Sequence, residues 1–299
     1  MNSRLVSYLF ETRAIRVCPK DRPFWYTSGK IGPYYINTHF LYGSEDEANR
    51  LLELIDAVKE DRKACTGEIE KAVLEQYRRN EIYRGTIDTL MDYASGHLAP
   101  DGIDFISGGE RRDWFFSVPV ASLLGKPHVT LFKDMDSVVY ENGKSLETDD
   151  LKGASVLHVA DLITTASSYT RAWIPIVSGL GARMEKSLAV VDRLQGGAEA
   201  LAARDVESHA LVRIDRSVFE EACRRKYIDE DQLKMVLDYM EDPDGSMRLF
   251  LLEHPGFVSD ALKSGGKAAE RARLLVENDF YNLRDSGHIF ESSGAEQDK

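Results

Sequence analysis

Asp161 is followed at close range by Thr164, Thr165, Ser167 and Ser168, with Ala166 between them. An acid and a run of hydroxyls so close together suit the binding of a phosphate ester. The carboxylate accepts hydrogen bonds from sugar hydroxyls, and the Thr and Ser side chains donate to phosphate oxygens. Backbone N–H groups at a following helix start add donors and a favourable dipole. An ordinary strand-to-helix turn with Ser and Thr as caps has the same local pattern, and a lone Asp at a strand end can equally be a cap. Arg111 and Arg112 stand in the polar, Gly-containing segment 107–113 and suit a diphosphate. They could also be surface arginines paired with Glu110 and Asp113. Arg193, after Asp192, could face a carbonyl or carboxylate, or make an ion pair. Lys133 opens a polar stretch running to Asp150, a length that marks a functional lid or a disordered loop.

The elements that must position these groups are legible as pattern. Val156 to Val159 is a β-branched run typical of a buried strand, and helix-like spacing resumes at Tyr169. Strands are expected at Ile103–Ile106, Val129–Phe132, Leu188–Val191 and Ala210–Ile214, with a helix over Trp114–Leu124, broken near Pro119 or starting late. Successive β–α units imply a parallel sheet with helices on both faces, and ligands there bind beyond the carboxyl ends of the strands. The segments 107–113, 133–150, 160–168 and 192–197 all fall at that edge.

Before this region, Leu5 to Ile15 reads as an amphipathic helix, and 24–37 as an aromatic hairpin around a Ser-Gly turn. That hairpin either packs a small core or forms a hood offering rings to a flat ligand. Ser44 and Glu47 have capping-box spacing at the head of a helix. A charged helical stretch spans Glu68 to Arg84, breaks at Gly85 and resumes to Tyr93. After Arg216 short helices return at Val218–Arg225, Asp229–Met240, around Ser246–Glu253 and at Ala268–Glu277. The polar tail from Ser286 is expected to fray.

The formal net charge of −12 disfavours a nucleic-acid surface, which needs a basic footprint. The cysteines Cys18, Cys65 and Cys223 have no metal spacing and suit a reduced, cytoplasmic setting. No apolar run approaches a membrane span, and the N-terminus does not read as a signal peptide. A P-loop, a dinucleotide fingerprint, a Cys/His metal cluster and a nucleophile elbow are all missing from the sequence.

Taken together, Val156 to Ser168 resembles the phosphoribosyl-pyrophosphate loop of type I phosphoribosyltransferases. Three further segments resemble the orotate branch of that family. Ser28-Gly29-Lys30 with Pro33-Tyr34-Tyr35-Ile36-Asn37 is similar to its S-G-R-x-S-P-Y-F-x-N hood. Val191 to Gly197 is similar to its L-D-R-Q-E-x-G segment, and Ile106 to Val118 looks like its pyrophosphate loop and helix. The resemblance covers roughly residues 1–216, apart from an inserted helical block around 66–95. It implies an α/β fold: a type I phosphoribosyltransferase-like parallel sheet flanked by helices, with an N-terminal hood and a helical C-terminal extension over 217–299.

The implied reaction transfers phosphoribose from phosphoribosyl pyrophosphate to orotate, with Mg²⁺, in a cytoplasmic homodimer. By position, Asp161 would hold the ribose diol and act in catalysis with Lys133. Thr164, Thr165, Ala166, Ser167 and Ser168 would cradle the 5′-phosphate, and Arg112 would meet the pyrophosphate. Tyr34, Tyr35 and Arg193 would hold orotate. The chain departs from the family at Ala160, where the first of two acids is usual, at Ala166, where Gly is usual, and at Thr27, where Lys is usual. Its 133–150 segment lacks the K-x-x-K-x-H pattern. A non-catalytic sensor of the same ligand, or a phosphoribosyltransferase for another base, are the alternatives that these departures leave open.

Overall fold

The computed structural model describes residues 2–146 and 150–284. The tail from Ser286 and residues 147–149 of the expected lid lie outside that range. The chain packs as two compact units, one of residues 1–15 and 36–221, the other of residues 16–35 and 222–299. The hood hairpin therefore belongs with the C-terminal helices, and not with the sheet as the reading of 1–216 as one domain implies.

The elements of the chain begin with helix α1 (Ser3–Glu11) and short strands β1 (Ile15–Val17), β2 (Phe24–Trp25), β3 (Ile31–Gly32) and β4 (Tyr34–Ile36). Helices α2 (Glu45–Val58), α3 (Cys65–Arg79) and α4 (Glu81–His97) follow, then β5 (Phe105–Gly109), α5 (Trp114–Leu124) and β6 (His128–Leu131). Next are β7 (Ser137–Glu141), β8 (Lys144–Leu146), β9 (Ser155–Ile163), α6 (Ile174–Gly179), β10 (Arg183–Asp192), α7 (Gly197–Ala202) and β11 (Glu207–Arg213). Helices α8 (Arg216–Arg224), α9 (Glu230–Glu241), α10 (Pro243–Glu253), α11 (Gly256–Ser264) and α12 (Gly266–Asn278) complete them.

The first unit holds a seven-stranded sheet ordered β11-β10-β9-β5-β6-β7-β8. Strands β11, β10, β9, β5 and β6 are parallel, and β7 and β8 are antiparallel additions. β9 is the middle one of the five parallel strands and is buried along nearly its whole length, so apolar residues fall on both its faces, with His158 and Asp161 as polar exceptions.

Several expectations need correcting. The described part of the 133–150 stretch is no irregular lid: β7 and β8 form a hairpin that extends the sheet. Its turn is Asn142-Gly143, both at positive φ (52° and 78°), the dipeptide that closes a tight hairpin. Buried Val138, Val139 and Tyr140 anchor it. The helical break falls at Asn80, not Gly85, because the Asn80 side chain accepts the Tyr83 N–H (2.9 Å) and caps α4. Gly85 runs on inside α4, where a Cβ would lie 2.9 Å from the Tyr8 ring.

α5 is continuous through Pro119. Proline gives no N–H to the carbonyl four residues back, and here the Tyr83 hydroxyl donates to that Phe115 carbonyl instead. The 66–95 block is thus part of the sheet-covering layer, with Ile69, Val73, Tyr83, Ile87 and Leu90 fully buried. α1 ends at Glu11, and Ile15 already belongs to β1. Helix α11 has no counterpart among the sequence expectations.

In the second unit the β2–β3 hairpin and α10 to α12 share a core of Ile31, Met247, Leu251, Val258, Leu275 and Tyr281. The Tyr281 hydroxyl accepts the Ile31 N–H at 2.9 Å, and Trp25 stacks on Phe257 with ring centroids 5.2 Å apart.

Candidate functional site

β9 runs to Ile163, so Asp161 lies within the strand and not at its end. The chain then turns through Thr164 and Thr165. Ala166 takes the left-handed conformation (φ 53°), and its carbonyl accepts the Thr170 N–H at 3.1 Å. The next residues enter a helical run that is π-wound at Tyr169–Trp173 and becomes α6. The N–H groups of its first turn have no intrahelical partner and are available to an anion. Ala166 occupies a backbone region natural to glycine, at a cost of roughly 1–2 kcal/mol for a residue with a Cβ.

β5 supplies the opposite wall. It carries Gly108 and Gly109, and a Cβ on Gly109 would lie 2.2 Å from the Trp173 indole. The glycine therefore lets the helix after the hydroxyl loop close against the strand. The loop beyond presents Glu110, Arg111 and Arg112. Arg111 is paired with Asp56 on α2, and not with the expected Glu110 or Asp113. Arg112 is exposed, and its side chain makes no hydrogen bond or ion pair among the described residues.

Around these lies a cavity of about 330 Å³. Arg112, Lys133, Asp161, Thr164, Ala166, Ser167 and Ser168 all line it, so the structure gathers most of the residues singled out from sequence. Thr165 is exposed and outside the lining. Arg193 is tied to the β9 end by its N–H to the Ile163 carbonyl (2.9 Å), but it does not line the cavity, and its Nε is buried without a partner. Gly197 explains the glycines of that segment: a Cβ there would lie 2.5 Å from the Thr164 carbonyl oxygen.

Tyr34 and Tyr35 belong to the second unit. The Tyr34 ring is buried edge-on to Tyr239, with centroids 5.9 Å apart. The Tyr35 hydroxyl donates to the Trp25 carbonyl at 2.7 Å, and its ring meets Phe24 and Tyr26 edge-on. The hairpin rings thus pack a small core.

Sequence reading missed Asp113. Its Oδ1 accepts the Asp161 N–H (3.0 Å) and its Oδ2 accepts the Gly109 N–H (3.1 Å), bracing the two central strands. His158 lies within β9, beside these residues. It is fully buried, with Nδ1 bonded to Ser107 Oγ (2.9 Å), but Nε2 stands 3.5 Å from Asp113 without a bond. Burial raises the Asp161 carboxyl well above the usual range, the Asp113 charge adds to this, and Arg112 opposes it. Burial holds the His39 imidazole down, to about 3, helped by Arg112 and Arg111. It is therefore neutral at ordinary pH.

A larger cavity, about 570 Å³, lies in the second unit, lined by Met235, Met247, Leu249 and Phe250 under a charged rim. Rim pairs such as Lys234–Asp238 (2.6 Å) and Lys20–Asp231 (3.5 Å) already satisfy one another. The chemistry of the sheet edge is absent there.

Strand acid, hydroxyl loop and arginine loop line one cavity at the carboxyl edge of a parallel sheet, the edge at which ligands of such sheets bind. The chain is 31% identical over 91 residues to the orotate phosphoribosyltransferase of Saccharolobus solfataricus, a match covering 30% of this chain and 46% of that protein. The match thus spans less than half the length of that relative. It is 31% identical over 130 residues to the orotate phosphoribosyltransferase of Thermococcus gammatolerans, covering 43% of this chain and 67% of that one. The structure of Leishmania donovani UMP synthase superposes with a TM-score of 0.50 at 15% identity, over 81% of this chain and 42% of that one, which shows the shared fold. No family model matches the chain. The chain belongs to the type I phosphoribosyltransferase family, a family of glycosyltransferase enzymes whose orotate branch supplies these relatives.

Proposed function

We propose that the protein transfers phosphoribose from phosphoribosyl pyrophosphate to orotate, releasing pyrophosphate and forming orotidine 5′-phosphate. The observation that carries this reading is one cavity that brings together Asp161, Thr164, Ala166, Ser167, Ser168, Arg112 and Lys133. In it the first-turn N–H groups and the Ser167 and Ser168 hydroxyls would hold the 5′-phosphate. Asp161 would accept from the ribose hydroxyls. Arg112 and Lys133 would face the diphosphate as negative charge builds on it in an oxocarbenium-like transition state. Arg193, with its unpartnered buried Nε, would serve the orotate.

The donor set bears on Mg²⁺. No group of three or more His, Cys, Asp or Glu able to hold a metal ion occurs among the described residues. An oxygen-lined cavity without such a cage fits Mg²⁺ that keeps its waters and arrives on the substrate phosphates. Asp161 would then take hydrogen bonds from those waters, and the cation would neutralise charge on the leaving pyrophosphate. A homodimer and a cytoplasmic setting belong to the same proposal.

The test mixes protein, Mg²⁺, phosphoribosyl pyrophosphate and orotate, and follows the fall in orotate absorbance. Turnover is expected. Binding of phosphoribosyl pyrophosphate by calorimetry without turnover would leave a sensor, turnover with another base only would replace orotate, and no binding at all would refute the reading.

A further inference from the structure

The strand motif lacks one of the two acids usual in its family. Ala160, the position concerned, is 1% exposed and packs in the apolar cluster with Ile163, Tyr169 and Leu201. An acid placed there would be a buried charge without a partner, a costly arrangement. Yet the cavity does contain a second carboxylate. Asp113, from the loop that leads into α5, lines the same cavity as Asp161. It is fixed from two sides by the Gly109 and Asp161 N–H groups.

Those bonds use only part of its capacity. An ionised carboxylate has about four acceptor positions; two are filled by backbone N–H groups and the neighbouring Asp161 carboxyl engages a third. His158 Nε2, at 3.5 Å from Oδ2, does not complete a bond. A merely structural Asp113 would brace β5 and β9 and do no more. Its placement beside Asp161 on the cavity wall gives it a second use.

We propose that Asp113 is a sugar-binding residue of this site, accepting a hydrogen bond from one hydroxyl of the ribose diol while Asp161 accepts from the other. Asp113 thus provides from the neighbouring strand's loop the acid that Ala160 cannot. The inference rests on the phosphoribosyl reading and names a residue within it.

The test compares affinities of ribose 5-phosphate and its 2-deoxy and 3-deoxy analogues, by calorimetry, for the unaltered protein and for Asp113→Asn. The unaltered protein should discriminate against each deoxy analogue by on the order of 10–100-fold, the value of a hydrogen bond to a charged acceptor. In Asp113→Asn one of the two ratios should collapse towards one, with pyrophosphate affinity unchanged. Neither ratio moving would overturn the proposal. So would a parallel loss of pyrophosphate affinity, the mark of a bracing role alone. Should the variant not fold, a crystal structure of the unaltered protein with ribose 5-phosphate decides. An Asp113 oxygen within about 3.2 Å of a ribose hydroxyl supports the proposal, and a sugar held by Asp161 alone refutes it. An unaltered protein that binds neither ribose 5-phosphate nor phosphoribosyl pyrophosphate sinks the phosphoribosyl reading itself, and this inference with it.

Discussion

Replacing Asp161 by Asn should stabilise the protein while removing ligand affinity. The side chain is 7% exposed and faces the Asp113 carboxylate, so its ionised form is disfavoured by burial and by a like charge. Its native pKa therefore lies above its unfolded value. The native chain binds the extra proton, and stability falls as pH rises from the unfolded pKa towards and through the native one. At a pH above both, every tenfold difference in acid constant costs the native state about 1.4 kcal/mol.

An Asn side chain is neutral at every pH and keeps a donor towards Asp113, as the protonated acid does. Each kcal/mol recovered should raise the melting temperature by roughly 2–4 °C in a chain of this size. Scanning calorimetry at pH 5 and pH 8 measures it. The gain of Asp161→Asn over the unaltered protein should be largest at pH 8 and shrink towards low pH. The same variant should bind phosphoribosyl pyrophosphate at least tenfold more weakly, the scale of one charged hydrogen bond. A variant less stable at pH 8, or a difference that does not depend on pH, would refute the electrostatic reasoning. Unchanged affinity would refute the diol assignment.

Other expectations follow from single contacts. Tyr83→Phe leaves the Phe115 carbonyl unbonded in the core, at a cost of about 1–3 kcal/mol in urea unfolding; the cost should shrink in a Pro119→Ala background, where the helix again supplies the N–H. Gly109→Ala should drive a methyl into Trp173 and destabilise by about 1–3 kcal/mol, and near-normal stability would show that the indole moves freely. Arg112→Ala should weaken pyrophosphate binding and flatten its dependence on salt, read by calorimetry at two ionic strengths, while leaving the melting temperature nearly unchanged, since the side chain is exposed.

The sequence by itself determined the parts of this protein whose information is local. The β-branched run before Asp161, the capping pair Ser44 and Glu47, and the hydroxyls at 164–168 each carry their signal within a few residues. The strand and helix alternation from Ile103 onwards was enough for the sheet and for the edge that gathers Asp161 and the loop after it. Asn142-Gly143 carries a local hairpin signal, but the polar residues around it hid the β7–β8 pair, and the stretch reads as a lid from sequence.

What only the tertiary structure decided depends on groups far apart in the chain. Asp113 meets Asp161 because β5 and β9 are neighbours in the sheet, and nothing near either residue announces that. Pro119 is tolerated because Tyr83, on another helix, bonds the carbonyl that proline leaves free. Residues 16–35 group with the C-terminal helices because Ile31 and Trp25 bury their apolar surface against Tyr281 and Phe257. Burial and pairing across such separations are set by packing, and packing cannot be read from spacing along the chain.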